Sequence, residues 1–435
     1  MAEGLATAEA AETRAAASTR RLAQGLLLLL IFSLAFMQPA IRLFGLQAVA
    51  TDLLFLGLVL ASLVAIAARG VRFVWHPGYW FIALYFAAML ASLSVSEKPG
   101  ASLVKLATQI YLLSLPVLAA TLIRDRAELR RAIRWWLAGT AVVVLVGALT
   151  LAIFPVDRDN PLLRYTLFHF GTLPPGDYPR VRLTFLNANL LCNYLTASLL
   201  LLLLARRVGW VSRAIFALLL PGILICAVFT ISPGLGGIAL AAGVWLWLLL
   251  RGTRPNAGRV ALAAGLVAAL LFIPAMAFTP ILHPTAPFLV QVPFVDLTLA
   301  PAGRLMIWMD AIRNFAADPL LGRGIGADAV LVRYQDPGGN LQKLTDAHNM
   351  FLNIGVQCGI VGVAALCALI VFAWRRTLPF RLMDGNRNLL RLGIGFAFLN
   401  CLVYQGLGGS FEDARHIWLL FGLLLAADRI ERAPS

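Results

Sequence analysis

The feature that most constrains this chain is repeated along nearly its whole length: apolar stretches such as "AVVVLVGALTLAIF" and "FLNIGVQCGIVGVAALCALIVFAW". About twenty such residues cross a bilayer as a helix. Within hydrocarbon the backbone has no water to bond, so each crossing segment must pair its own amides and carbonyls. Runs of this kind lie near 24–38, 46–68, 79–95, 102–123, 135–155, 183–205, 214–232, 237–250, 260–282, 348–374, 392–411 and 417–430. The chain is 60% hydrophobic and 13% charged, too apolar for a soluble protein of 435 residues. The expected fold is an all-α polytopic membrane protein with about twelve transmembrane helices.

The first 23 residues are Ala-rich and polar and end in Arg20 and Arg21. No convincing small-x-small cleavage site precedes Gln38-Pro39, so the following run is expected to be retained as the first span, behind a cytoplasmic tail over 1–23. Spans one to nine then occupy 24–282, spans ten to twelve 348–430, and a short tail 431–435. An even number of spans puts both termini on one side. The formal charge of +15 decides which. Most of the 36 Lys and Arg residues fall on the side of the termini, in or beside the two tails and in the connections "RGVR", "RDRAELRRAIR", "RRVGWVSR", "RGTRPNAGR" and "RRTLPFRLMDGNRNLLR". By the positive-inside rule both termini are cytoplasmic, and the basic excess is an orientation signal that requires no nucleic acid partner.

Two long segments, 156–182 and 283–347, face the other side, so the working surface is expected there. Within the second, "GRLMIWMDAIRNFAADP" places Leu305, Trp308, Ile312 and Phe315 on one helical face, an amphipathic helix near 303–317 lying on the membrane surface. Arg180 and Arg182 close the first long segment, Arg304 opens that helix, and His348 stands at the mouth of span ten. Guanidinium groups in such company suit a phosphate or diphosphate; singly, each could equally reach for lipid headgroups or an acid. Asp346 is read as the cap of span ten. His348 would then sit in the first turn, where the helix dipole and nearby arginines favour a neutral imidazole able to accept a proton. "GRGIG" over 322–326 has the look of a phosphate cradle but reads better as a turn. Glu412, Asp413, Arg415 and His416 form a charged corner before the last run, pairing among themselves or orienting an arginine. His169 and His283 lack ligand-like spacing, the five cysteines lie in apolar runs, and no CxxC or HExxH spacing occurs, so neither metal nor cofactor is expected.

The element "HN" followed by nine residues and "GIVG" (His348, Asn349, Gly359, Gly362) resembles the signature of bacterial O-antigen ligases. "GRLMIWMDAIRNFAADPLLGRGIG" resembles the segment upstream of it in the same superfamily, which includes O-antigen polymerases and protein O-oligosaccharyltransferases. "RVRLTFLNANLLCNYL" resembles its other arginine motif, with Ala188 standing where the family has proline, so that Arg180 and Arg182 both remain candidates. The resemblance implies a lipid-carrier glycosyltransferase of GT-C-like type in the bacterial inner membrane, with a periplasmic active site. It implies a glycan moved from undecaprenyl diphosphate to lipid A–core oligosaccharide, with inversion and without metal. Carried over by position, His348 is the general base and Arg180 or Arg182, with Arg304, binds the diphosphate; Asn189, Asn349 and Asp346 are supporting residues. The nearest rivals are a polymerase or a protein glycan ligase using the same donor. A lipid or glycan transporter, the rival from another class, would bury charge in mid-span near broken helices of matching halves, and neither mid-span charge nor an internal repeat is evident.

Overall fold

A computed structural model describes residues 2–39, 41–43, 46–172, 175–250, 253–280, 290–292, 297–301, 303–335, 341–378 and 388–432. Its helices are α1 (Ala2–Ser33), α2 (Ala50–Ala67), α3 (Gly78–Ser92), α4 (Pro99–Leu122), α5 (Arg126–Ile153), α6 (Pro161–Thr166), α7 (Ala188–Arg207) and α8 (Arg213–Val228). There follow α9 (Leu235–Leu250), α10 (Pro255–Phe272), α11 (Pro274–Ala277), α12 (Gly303–Ala317), α13 (Met350–Thr377), α14 (Leu389–Leu399) and α15 (Arg415–Arg432). Among the described residues nine helical spans are long and apolar enough to cross a membrane, and α8 and α9 are shorter apolar helices. The chain is thus a mostly helical, multi-pass membrane protein, with a helix over each of the apolar runs. α1 runs unbroken from Ala2 through the Ala-rich start to Ser33, as Ala, the best helix former, allows.

Small antiparallel hairpins lie in the connections, where strands need only a few residues. β1 (Ile41–Leu43) pairs with β2 (Leu46–Ala48), and β3 (Leu167–Thr172) with β4 (Pro175–Val181). β5 (Phe278–Pro280) and β6 (Val290–Val292) flank β7 (Leu297–Pro301), and β8 (Val332–Gln335) pairs with β9 (Leu341–Leu344). His283 lies outside the described residues.

The centre of the bundle is α7 and α15, whose residues are almost all buried. In lipid, packing and interhelical hydrogen bonds hold helices together, since tails are as apolar as leucine. Accordingly Gly422 of α15 lies against Pro116 and Ala119 of α4, and Gly243 of α9 against Gly265 of α10. Polar side chains bridge the centre: Asn193 Nδ2 donates to the Cys401 carbonyl (2.9 Å), His416 Nε2 meets Asn193 Oδ1 (2.7 Å), and Gln405 Nε2 donates to Thr196 Oγ1 (2.6 Å). At one end of the bundle Asp428 gathers His76, Arg376, Arg391 and Arg432 within 2.9 to 3.6 Å. Those contacts tie α15 to α13 and α14. His348 lies at the far end of α13, whose 28 residues span roughly 40 Å.

The helix α13 is broken. Gly359 adopts φ +62°, in the left-handed region, and interrupts the helical ladder. The break exposes backbone groups on both sides, and the segment after α12 takes them up. The amides of Arg323 and Gly324 donate to the carbonyls of Val356 (2.8 Å) and Gln357 (3.1 Å). In return the amides of Ile360 and Val361 donate to the carbonyls of Pro319 (2.8 Å) and Leu320 (3.4 Å). A Cβ at 359 would collide with the Leu320 carbonyl. Gly359→Ala is therefore expected to combine backbone strain with a steric clash and cost several kcal/mol. A fall of several degrees in the melting temperature of the purified protein checks this; an unchanged midpoint would mean that the splice contributes nothing to stability.

Candidate functional site

Three segments far apart in sequence meet at the N-terminal end of α13. The first is β4 and the turn after it. Arg180 donates from Nε to the Thr230 carbonyl (3.0 Å), reaches Asn189 Oδ1 (3.5 Å), and lies 5.2 Å from the centroid of the Phe168 ring. Arg182, two residues on, serves another purpose. Its Nε and Nη2 donate to the carbonyls of Tyr165 and Arg164, both at 3.1 Å, closing the C-terminus of α6. Of the two candidate arginines, Arg180 alone turns toward Arg304. Ala188 does not disturb this turn. Asn187 caps α7 by accepting from the Leu190 amide (2.8 Å), which makes Ala188 the first helical residue, a position that proline and alanine fill equally well.

The second segment is α12, which spans the expected 303–317. Ile307, Ala311 and Phe315 pack against Ala329, Val330, Ala347 and Val356, whereas Ile312 is exposed, as are Met306 and Met309. Arg304 stands at the start of this helix. One turn on, the indole Nε1 of Trp308 is buried without a partner among the described residues. Sequence patterning assigned Trp308 to an apolar face and missed this donor.

The third segment is the approach to α13. Asn349, not Asp346, caps the helix, accepting from the amides of Phe351 (3.0 Å) and Leu352 (3.2 Å) while its Nδ2 donates to the Leu407 carbonyl (3.2 Å). His348 lies outside the first turn, at φ +47°, a conformation rare for a residue with a side chain. Asp346 holds it there: its Oδ1 accepts from the His348 amide (2.6 Å) and from Ser410 Oγ (2.6 Å), and lies 3.4 Å from His348 Nδ1. The cap moves because Asn349 sits directly before the helix, whereas Asp346 sits where it can bond the amide two residues on.

The electrostatics couple the three. Burial, and then the neighbouring Arg180, push the Arg304 guanidinium down to about 10. Burial also lowers Arg180, against a smaller opposing influence of Tyr178. His348 is lowered chiefly by burial and further by Arg304, with Asp346 opposing. The imidazole is accordingly neutral near pH 7, through desolvation and a guanidinium neighbour more than through the helix dipole. Among the described residues Arg304 has no carboxylate partner. Two partly buried guanidiniums in mutual repulsion form a place that a polyanion would relieve.

The charged corner before α15 does not pair within itself. Asp413 takes Lys105 and Gln109 of α4, and Arg415 takes Asp52 (2.6 Å) and Tyr111 (3.0 Å). His416 turns into the bundle, and Glu412 is buried beside Asn353. Burial first, then the charge of Asp413, raises Glu412 to about 8. None of these side chains is bonded to an arginine of the site among the described residues. "GRGIG" is a turn: Gly322, Gly324 and Gly326 all have positive φ. The amides of residues 323 to 326 are taken by Val356, Gln357 and Ser92, leaving none to cradle a phosphate. Among the described residues no three His, Cys, Asp or Glu side chains gather as a metal ion would require.

No curated protein matches the sequence. The O-antigen ligase family model matches residues 216–367, the stretch that carries α12, Arg304, the spliced break at Gly359 and His348. Its family consists of glycan-transferring enzymes that work on lipid-linked substrates. In that stretch the chain is similar to the O-antigen ligases.

Proposed function

We propose that the protein moves an O-antigen glycan from undecaprenyl diphosphate to lipid A–core oligosaccharide at the periplasmic face of the bacterial inner membrane. The observation that carries this reading is the position of Arg304, within the electrostatic reach of both Arg180 and His348. Two guanidiniums and a neutral imidazole are the groups an inverting transfer from a diphosphate requires. Arg180 and Arg304 bind the diphosphate, and Trp308 Nε1 supplies a further donor. As the bond between the anomeric carbon and the phosphate oxygen breaks, its electron pair moves onto the diphosphate. The guanidiniums stabilise that charge, the task a divalent cation performs in metal-dependent transfer. The acceptor hydroxyl attacks the opposite face of the sugar and gives its proton to His348. With Nδ1 facing Asp346, Nε2 is the atom that receives it. The apolar grooves between helices take the polyprenyl and acyl chains, with α12 over the site.

With purified protein, labelled polyprenyl-diphosphate glycan, lipid A–core and a chelator, label is expected to move to lipid A–core. His348→Ala should lower the rate by about 10²- to 10⁴-fold. Label in longer carrier-linked chains would make the enzyme a polymerase, and near-normal transfer by His348→Gln would remove the base assignment. Arg180→Ala and Arg304→Ala are each expected to lower kcat/KM by about 10²- to 10³-fold. Arg182→Ala should stay within several-fold of wild type, and equal losses at 180 and 182 would contradict the division of labour between them.

A base must be unprotonated to act, so kcat/KM should fall as pH drops through the His348 pKa, with a midpoint below the ordinary histidine value of about 6.5. Asp346→Asn keeps the turn-forming oxygen but removes the charge that opposes the lowering. The acid limb should therefore move to still lower pH, and a limb that stays in place would disconnect Asp346 from the titration.

A further inference from the structure

Three pockets open in a row along the outer ends of α3 and α4 and the segment between α12 and α13. Their volumes are about 350, 210 and 330 Å³. They share walls: Glu97 and Arg323 line the first and second, Ala327 and Asp328 the second and third. The third ends at Asp346 and Asp413, and Asp346 is the residue that holds His348. A row of joined polar pockets thus ends at the residue that holds the candidate base.

Its charge differs from that of the rest of the protein. In a chain of formal charge +15, the carboxylates of Glu97, Asp318, Asp328, Asp346 and Asp413 outnumber the cations Lys98, Lys105 and Arg323 along these walls. Lys105 is held closely by Asp413, but the other two pairs are loose: Lys98 lies 3.5 Å from Asp328 and Arg323 3.8 Å from Asp318, both partly exposed. Ion pairs of this kind contribute little and exchange readily with another hydrogen-bonding partner. Side-chain amides complete the lining, Asn314 in the second pocket and Asn353 and Gln357 in the third. Carboxylates and amides accept and donate in the pattern that sugar hydroxyls present. The same carboxylates repel a diphosphate. Three joined pockets suit an extended chain of rings better than one compact headgroup.

We infer that this groove is a saccharide-binding site for the acceptor: an uncharged, hydroxyl-rich oligosaccharide lies along Glu97, Asn314 and Asp328 and presents its terminal hydroxyl to His348 past Asp346. The assignment rests on the reading of the arginine side as the donor's, and it divides the site by charge. Basic groups face the leaving diphosphate, acidic and amide groups face the attacking sugar, and the histidine stands between them.

The test is direct binding. A soluble, uncharged hexose oligosaccharide is added to the purified full chain and followed by saturation-transfer NMR. Wild type is expected to transfer saturation to the ring protons. Glu97→Gln combined with Asp328→Asn should weaken binding about tenfold or more. The KM for the polyprenyl-diphosphate donor should not change, and the melting temperature should match wild type. Inorganic pyrophosphate, directed to Arg180 and Arg304, should not displace the oligosaccharide, a control that needs no variant. Unchanged affinity in the double variant, a change confined to donor KM, or displacement by pyrophosphate would overturn the assignment. Should the oligosaccharide bind as expected while wild type transfers no label, the ligase reading falls and the saccharide site stands. Should ligation proceed with an affinity indifferent to positions 97 and 328, the groove falls and the ligase reading stands.

Discussion

The arrangement of this site depends on a backbone rule: a polar group that leaves a helix inside a membrane protein must find another partner at once. The left-handed Gly359 releases amides and carbonyls partway along α13, and the 319–324 segment accepts them in a reciprocal exchange. The exchange fixes where the chain goes after α12. With α12 also packed on Ala347 and Val356, the helix bearing Arg304 is held against the one that follows His348. Two residues separated in sequence are thereby brought to a common place by hydrogen bonds that involve neither of them.

Electrostatics then give the site its character. Arg180 is anchored by a main-chain carbonyl at Thr230 and by Asn189, so its cation is positioned without being neutralised by an acid at those contacts. Arg304 is further into the protein and feels it. An arriving anion would offset the cost of keeping two such cations close. A site of this kind is preorganised for charge that develops on a leaving group. The neutral histidine beside it follows from the same burial and the same guanidinium.

Much of this could be read from the sequence, because the bilayer enforces length and composition. The apolar runs coincide with helices, and the bounds of α12 fall where the amphipathic pattern put them. His348, Arg304 and Arg180 were also visible, as charges at span ends on one side. What escaped reading was direction. In a soluble protein an apolar face points inward, but here lipid and protein interior accept the same residues, so Ile312 and Ile307 look alike and only Ile307 is buried. The choice between Arg180 and Arg182 turned on carbonyls of α6, a helix too short to announce itself. Asp346 and Asn349 are both good caps, and which one caps depends on where the helix begins, within an uncertainty of a few residues. The partners of Glu412, Asp413 and Arg415 lie on α13, α4 and α2, distances along the chain that no local pattern encodes.

The outward face of α12 carries Met306, Met309 and Ile312, and Leu320 follows in the same exposed sense. These side chains are long, soft and apolar, and water is a poor neighbour for them. On the reading that α12 lies on the membrane surface, they would seat in the edge of the bilayer and act as a float: the helix would find its level from the lipid while its other face is held to α13. Arg304 would be carried at that level. On the proposed reading, the phosphates of a polyprenyl carrier would ride at the same waterline, a donor diffusing in the leaflet would meet the guanidinium without being lifted from the membrane, and the search for the site would become one in two dimensions.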